Sequence, residues 1–347
     1  MLLEILDWGL DARTMQVIFG LVIGAVFGIA AQVSRFCLRR AIAGESEERG
    51  SAGATWMVAL ASAIIGFFLA SRWGYVDLGG HRYLDPELPF LAIILGGVAF
   101  GAGMVLTRGC ASRLTVLSAT GNLRAVTVLI IFAVVAHATL KGVLAPLRVA
   151  LGSVSTTLSF GSFSELPMGA PAASAVMAVL AIYLIHRFKP SWRDIVSGVI
   201  IGLVPVLGWA TTSVLLFDEF EPLAVQSVAF TLPWSDTLFW TIASTSIPAG
   251  FGTGLVGGVL FGSFLSAAVR GELKLVGFEA APQFLRYAAG AGLMGAGGVL
   301  AGGCTVGAGL SGSATLSVAG LLALASIVAG ALLTARLGLR ARHPLVA

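Results

Sequence analysis

Long apolar runs separated by short polar segments make up almost the whole chain. Nine stretches approach the roughly 20 apolar residues that a helix needs to cross the hydrocarbon core of a bilayer. The connectors Lys141–Ala170 and Asp218–Asp236 are more polar and rich in Pro and Ser, and they are expected to form outer loops or interfacial helices. The nine predicted spans are Met15–Val33, Ala54–Ala70, Pro89–Thr107, Val126–Leu140, Pro171–Ile185, Ile195–Phe217, Ile247–Val269, Phe284–Ala301 and Ala314–Ala335.

Composition supports an all-α polytopic membrane protein. Of 347 residues, 57% are hydrophobic and 11% are charged, whereas about 25% are charged in a soluble domain. The basic residues lie between spans, so the net charge of +4 does not indicate nucleic-acid binding. Three widely spaced cysteines rule out a disulfide framework. The sequence contains no Walker motif, zinc-ligand spacing or carboxylate pair within the spans, and we expect no metal, no cofactor and no enzymatic activity.

The distribution of charge predicts the orientation of the chain. With the N-terminus outside, all but five of the 21 Lys and Arg residues fall in inner segments, while acids such as Asp218, Glu219, Glu221 and Asp236 fall in outer ones. Basic residues concentrate on the cytoplasmic side of membrane proteins. The bias therefore predicts an outer N-terminus and an inner C-terminus.

Two glycine-rich segments, Gly96–Gly121 and Gly290–Gly312, have matching patterns. Aligning Cys110 on Cys304 superposes Gly109 on Gly303. The first cysteine follows a span that runs inward and the second follows a span that runs outward. The pattern therefore predicts inverted repeats, which commonly frame a substrate site near the midplane with broken helices.

This symmetry divides the chain into residues 1–140 and 194–347 as the two repeats, with 141–193 holding an outer loop and a central fifth span. Non-helical backbone at membrane depth survives only inside protein or against a water-filled cavity. We expect re-entrant half-helices at Arg108–Thr120 and Gly302–Ser313.

The cysteines are the strongest candidates for a site. A free cysteine in an apolar segment is commonly a small buried hydrophobe, but Cys110 and Cys304 recur at a predicted helix break, followed by hydroxyl residues such as Thr305. A helix that starts after each break would offer N–H groups and a positive dipole end to an anion. The soft sulfur suits a sulfur-bearing anion. Cys37, beside Arg35, fits an incidental thiol at a helix end equally well.

Three segments carry a resemblance to the YeeE/YedE family of bacterial inner-membrane sulfur transporters: Arg35–Leu38 (RFCL), Arg108–Ser112 (RGCAS) and Ala301–Gly312 (AGGCTVGAGLSG). The resemblance implies an hourglass-shaped protein that takes up thiosulfate, with thiols relaying the ion by hydrogen bonds and a cytoplasmic sulfur-carrier protein as partner. Carried over by position, it implicates Cys110 and Cys304, and then Cys37. Arg108 stands where many relatives have a small residue, which makes the constriction more cationic.

Other functions stay open beside a thiosulfate importer. The anion could be another sulfur species or a selenium compound. A membrane thiol oxidoreductase or persulfide carrier would use the cysteines covalently, although the sequence has no Cys-x-x-Cys pair. A scaffold that hands sulfur to a soluble partner needs fewer glycine-rich repeats than this chain has.

The predicted orientation can be tested with a reporter. We expect a reporter that is active only in the cytoplasm to be active when fused after Ala347, because the inner segments are basic. The same reporter placed beside Arg82, in a predicted outer segment, serves as the inactive control. A second reporter, active only in the periplasm, should be inactive after Ala347. Its activity there would contradict the inverted repeats, because these require an odd number of spans and so place the two termini on opposite sides.

Overall fold

The structure is a computed structural model that describes residues 11–216 and 223–337. The helices, in chain order, are α1 Ala12–Ser34, α2 Leu38–Ala43, α3 Ser46–Arg72, α4 Phe90–Leu106, α5 Ala111–Ala119, α6 Leu123–Lys141, α7 Ala145–Gly152, α8 Gly169–Phe188, α9 Trp192–Ala210, α10 Thr231–Ile242, α11 Phe251–Val269, α12 Ala281–Leu300 and α13 Val318–Arg336. Two π-helical segments cover Thr211–Leu215 and Gly307–Gly312, and a 3₁₀ turn covers Phe163–Glu165. Two short strands, β1 Glu87–Leu88 and β2 Thr156–Thr157, pair antiparallel.

The all-α polytopic fold is confirmed. Within the described residues, eight helical segments are long and apolar enough to cross a membrane, and they coincide with eight of the nine predicted spans. The remaining prediction, Phe284–Ala301, is matched by the 20-residue helix α12. That helix is less apolar than the others because it contains Gln283, Arg286 and several glycines, which leaves the exact number of spans a prediction.

The ends of some spans differ from the prediction for local reasons. Helix α3 begins at Ser46, well before Ala54, because its first turn is polar and carries Glu47 and Glu48. Carboxylates stabilise the positive end of a helix, but a search for apolar runs does not detect them. Helix α13 begins after Leu316, which has a left-handed backbone with φ 55° and cannot continue a right-handed helix.

The first predicted connector, Lys141–Ala170, contains α7, β2 and the 3₁₀ turn, none of which is long enough to span. Part of the second, Asp218–Asp236, lies outside the described residues. The other predictions that lie outside them are the end of span six at Phe217, the outer acids Asp218, Glu219 and Glu221, and the inner residues Arg340 and Arg342.

Glycines bring helices from the two predicted repeats into backbone contact. Helices α1 and α11 run side by side, and a Cβ on any facing glycine would meet backbone of the other helix. Helix α4 is held in the same way between α12 and α13. The facing glycines of the α1–α11 pair are Gly20, Gly24, Gly28, Gly254, Gly258 and Gly262. Such close approach is a common basis of helix association in membranes. The inverted relation of the two halves stays a prediction.

This packing predicts a sharp difference between adjacent glycines. We expect Gly258→Ala to lower the free energy of unfolding by about 1–3 kcal/mol, because its Cβ would collide with the Leu21 carbonyl oxygen. Gly257→Ala is the matched control, since nothing lies within 4 Å of a Cβ there. Thermal unfolding in detergent measures both. Equal midpoints for the two variants would contradict the packing of α1 on α11.

Candidate functional site

Each cysteine lies two positions after a residue with a left-handed backbone. The pairs are Arg35 (φ 52°) with Cys37, Arg108 (φ 62°) with Cys110, and Gly302 (φ 73°) with Cys304. A left-handed residue ends a right-handed helix and redirects the chain. The first two cysteines then occupy the N-cap positions of α2 and α5. The sequence predicted two such breaks; the structure has a third at Cys37.

The continuation after each break differs. Helix α5 after Cys110 has nine residues, in agreement with a predicted half-helix. After Cys304 the chain forms the π-helical segment Gly307–Gly312 rather than an α-helix. Gly303, at φ 159°, packs so closely on the Ala308 amide nitrogen that any Cβ would force a shift.

All three thiols are buried in one contiguous apolar core. The exposed fractions are 7% for Cys37, 1% for Cys110 and 0% for Cys304. The sulfurs of Cys37 and Cys110 lie 3.9 Å apart, although 73 positions separate them in sequence. The sequence has no Cys-x-x-Cys pair, but the fold brings these two thiols together. Cys37 belongs to the same site as Cys110.

Hydroxyl groups surround the Cys110 thiol. The Oγ of Ser112 lies 3.2 Å from its sulfur. Thr305, from the Cys304 break, also faces this thiol, and its buried Oγ1 has no other hydrogen-bond partner in the described structure. A thiol is a weak hydrogen-bond partner, and a poorly satisfied buried hydroxyl is costly. Thr305 is thus a group that a polar ligand would satisfy, placed where two breaks meet.

Around Cys304 the chain supplies backbone donors and a buried extended segment. The N–H of Gly307 donates to the Cys304 sulfur at 3.3 Å. The hydroxyl of Ser311 donates to the Val228 carbonyl at 2.6 Å. Val228 and Phe230 lie in the predicted connector Asp218–Asp236, and both are fully buried. Their burial was not predicted, although their size and apolarity favour it.

The loop between α3 and α4 covers the Cys304 break on the predicted outer side. Tyr83 donates from its hydroxyl to the Gly307 carbonyl at 3.1 Å. The guanidinium of Arg82 donates to the Gly302 carbonyl at 2.9 Å, and the Trp209 indole donates to that of Ser311 at 3.3 Å. Sequence reasoning did not find this cover, because aromatic residues near span ends are also typical of membrane interfaces.

Of the three neighbouring residues His81, Arg82 and Tyr83 in this cover, Arg82 carries the charge at neutral pH. Burial lowers the pKa of His81 to about 4, and the charge of Arg82 acts in the same direction. The His81 ring packs edge-on against Trp209, with ring centroids 4.9 Å apart. Burial raises the pKa of Tyr83, so its hydroxyl keeps the proton that it donates. Arg82 is thus the cation of the cover.

On the predicted inner side, arginines approach the thiol pair. The guanidinium of Arg113 lies within Coulombic range of both Cys37 and Cys110. It is held by the Ala31 carbonyl and the Gln32 Oε1, each at 3.4 Å. Its positive charge therefore faces the thiols from a fixed position.

A second group, here called the arginine cluster, consists of Arg39, Arg108, Arg124 and Arg286. Arg108 lies within Coulombic range of the other three, and Arg124 pairs with Glu279 at 2.6 Å. The Nε atoms of Arg39 and Arg286 are buried and make no hydrogen bond among the described residues. Positive charge thus outweighs negative charge at this point. The sequence drew attention to Arg35 and Arg108 but not to Arg124 or Arg286.

No three His, Cys, Asp or Glu side chains in the described ranges are grouped so that they could hold a metal ion. What the structure assembles is a set of buried thiols, hydroxyls and backbone amides, with cations on either side. Such groups can bind an anion without covalent chemistry.

These features define a polytopic membrane protein with a buried thiol site at helix breaks. The chain belongs to the sulphur transport family, whose profile matches residues 33–333, and the resemblance to YeeE/YedE proteins is confirmed. The thiosulfate transporter TsuA of Escherichia coli is 24% identical over 307 residues, covering 81% of this chain and 83% of the relative. That of Spirochaeta thermophila is 28% identical over 298 residues, covering 80% and 86%.

The cover over Cys304 can be tested by removing one oxygen atom. We expect Tyr83→Phe to lower the free energy of unfolding by about 1–3 kcal/mol, because it leaves the buried Gly307 carbonyl without that donor. Tyr183→Phe is the matched control, since Tyr183 is 60% exposed. Thermal unfolding in detergent compares the two variants. A Tyr83→Phe midpoint equal to that of the control would contradict the described cover.

Proposed function

We propose that this chain is a permease of the bacterial inner membrane that imports a small sulfur-containing anion, with thiosulfate as the leading candidate. The observation that carries the proposal is the meeting of buried thiols and a poorly satisfied hydroxyl at helix breaks in the core. The names of the two TsuA relatives support the choice of thiosulfate. The charge bias along the sequence supports a periplasmic N-terminus and a cytoplasmic C-terminus.

In this proposal the anion meets Arg82 first and then Cys304. It next reaches Thr305 and the Cys110–Cys37 pair. A thiol donates only a weak hydrogen bond. Weak donors are useful here, because a conduction site must bind the ion strongly enough to admit it and loosely enough to release it.

The described state would be closed between the two inner thiols. At 3.9 Å the sulfurs of Cys37 and Cys110 are in contact and leave no room for an ion between them. Passage then requires the Cys37 and Cys110 breaks to separate. Their αL residues provide the hinges, because hinges are commonly a few residues at element ends that absorb changes in φ and ψ.

The arginine cluster would receive the ion on the inner side. The buried, unbonded Nε atoms of Arg39 and Arg286 support this role, since each can donate to an oxyanion. Release to a cytoplasmic sulfur-carrier protein at this face is part of the proposal. Its support is the resemblance to YeeE/YedE proteins and the positive charge of the cluster.

A second function, a thiol oxidoreductase or persulfide carrier, has one specific observation in its favour. The 3.9 Å separation of Cys37 and Cys110 gives this chain the dithiol that such chemistry needs. A selenium compound is a further candidate substrate, since selenium shares the softness of sulfur. Uptake and trapping experiments separate these functions.

Cysteine variants distinguish a hydrogen-bonding conduit from covalent chemistry. We expect Cys110→Ala and Cys304→Ala to slow the uptake of labelled thiosulfate by about tenfold or more, because an unmade bond to a buried charge costs roughly 1–3 kcal/mol. The Ser variants should fall between wild type and Ala, since a hydroxyl still donates. Uptake is measured in cells that lack other routes, beside labelled sulfate and selenite.

Ser326→Ala is the control for loss of a small buried polar group, because that hydroxyl donates, among the described residues, only to the Leu322 carbonyl in its own helix. It should transport at the wild-type rate. Equal loss in the Ser and Ala variants, with a persulfide on Cys110 or Cys304 during turnover, would replace the conduit by covalent chemistry, because serine is a poor nucleophile at neutral pH. Uptake of none of the three anions by wild type would reject the permease.

A further inference from the structure

The Cys37 and Cys110 sulfurs are closer than a conduit of independent thiols requires. Their separation of 3.9 Å exceeds a disulfide bond of about 2.05 Å by roughly 2 Å. Rotation of either side chain between staggered χ1 positions moves its sulfur by more than this difference, roughly 3 Å. The gap between the two sulfurs is therefore no larger than the displacement that one side-chain rotation produces.

Cys37 and Cys110 are also the two cysteines best placed to react with each other, and one of them is accessible to an oxidant. The chain has three cysteines, all of them described, and the sulfur of Cys304 is engaged instead by the Gly307 N–H. Cys37, at 7% exposed, is the more accessible member, and Cys110 is 1% exposed. An oxidant that enters from the predicted inner side would meet Cys37 first, and Cys110 would then resolve the adduct.

Charge beside the pair favours an anionic oxidant. The guanidinium of Arg113 lies within Coulombic range of both sulfurs. It would attract a dianion and also stabilise the thiolate that attacks it. Access for such an anion rests on the proposed function, because the path that admits thiosulfate would admit related sulfur anions of similar charge.

We propose that Cys37 and Cys110 form a dithiol that an oxidised sulfur anion of the polythionate class closes into a disulfide, which blocks the path until a thiol reductant reopens it. With tetrathionate, the Cys37 thiolate attacks one of the two central sulfurs, and the bond between these two sulfurs breaks. One thiosulfate leaves, and the cysteine carries an S–S–SO₃⁻ adduct. Cys110 then loses its proton and attacks the Cys37 sulfur, and the second thiosulfate leaves.

The balance is two thiols and one tetrathionate giving one disulfide, two thiosulfates and two protons. The cysteine pair is oxidised by two electrons and tetrathionate is reduced by two. Thiol–disulfide exchange proceeds through such mixed intermediates. The product of closure would be the substrate of the permease, so an oxidised form of the substrate would switch transport off.

The test uses the full-length protein in detergent and in vesicles. After tetrathionate, we expect mass spectrometry to find a peptide linking Cys37 to Cys110, and thiosulfate uptake to fall by about tenfold or more, because a covalent link prevents the opening. Dithiothreitol should remove the link and restore uptake. In Cys110→Ser, the adduct on Cys37 should accumulate and no link should form.

Cys304→Ser is the matched control for link formation and should link Cys37 to Cys110 as wild type does. Absence of the link in folded wild-type protein would overturn the proposal, as would a link that leaves uptake unchanged. A link formed by the neutral oxidant diamide but not by tetrathionate would also overturn it, because sulfur anions would then not reach the pair. The link is read by mass, so this result is independent of whether thiosulfate itself is transported.

Discussion

The backbone cannot leave its N–H and C=O groups unpaired in the hydrocarbon region of a membrane. A continuous helix pairs these groups within itself, but the three helix breaks leave some of them without a partner in the helix. Other parts of the chain supply the missing partners. The Thr107 hydroxyl lies 3.0 Å from the Gly109 carbonyl beside the Cys110 break. At the Cys304 break, Arg82 and Tyr83 supply donors from a distant loop. The site can therefore exist only inside a fold whose loops and helices are arranged to cover it.

Close backbone packing is the second condition. Glycines on α1, α4, α11, α12 and α13 let the helices that carry the breaks approach until their backbones touch. Glycine lowers the stability of a helix interior by roughly 1 kcal/mol relative to alanine. In this protein that loss is offset by contact across helices. Wider spacing would move the Cys37 break away from the Cys110 break and separate the two sulfurs.

Much of the fold could be predicted from local pattern, while part of the site could not. Apolar runs placed the spans because the bilayer imposes a minimum length, and the glycine–cysteine repeat identified Cys110 and Cys304 because their surroundings match. The approach of Cys37 to Cys110 depends on how α1 packs on α11 and how α4 packs between α12 and α13, which no local pattern encodes. Tyr83 and Trp209 escaped notice for a similar reason, since the carbonyls that they contact lie 224 positions away for Tyr83 and 102 for Trp209. The repeated Arg-x-Cys spacing at Arg35 and Arg108 was a local signal of a third break that the sequence argument did not use.

The left-handed backbone at Arg35 and Arg108 limits which substitutions these two positions can accept. A non-glycine residue in this conformation is strained by about 1–2 kcal/mol, and glycine, which occupies the equivalent position at Gly302, would relieve that strain. Replacement of Arg35 or Arg108 by glycine would thus favour the folded backbone while removing a cation from the neighbourhood of a thiol. Stability and charge make opposite demands at these two positions. Selection for thermal robustness alone would favour glycine at both positions, and a thermostabilised version of this protein would then lose positive charge beside its thiols without any change at its cysteines.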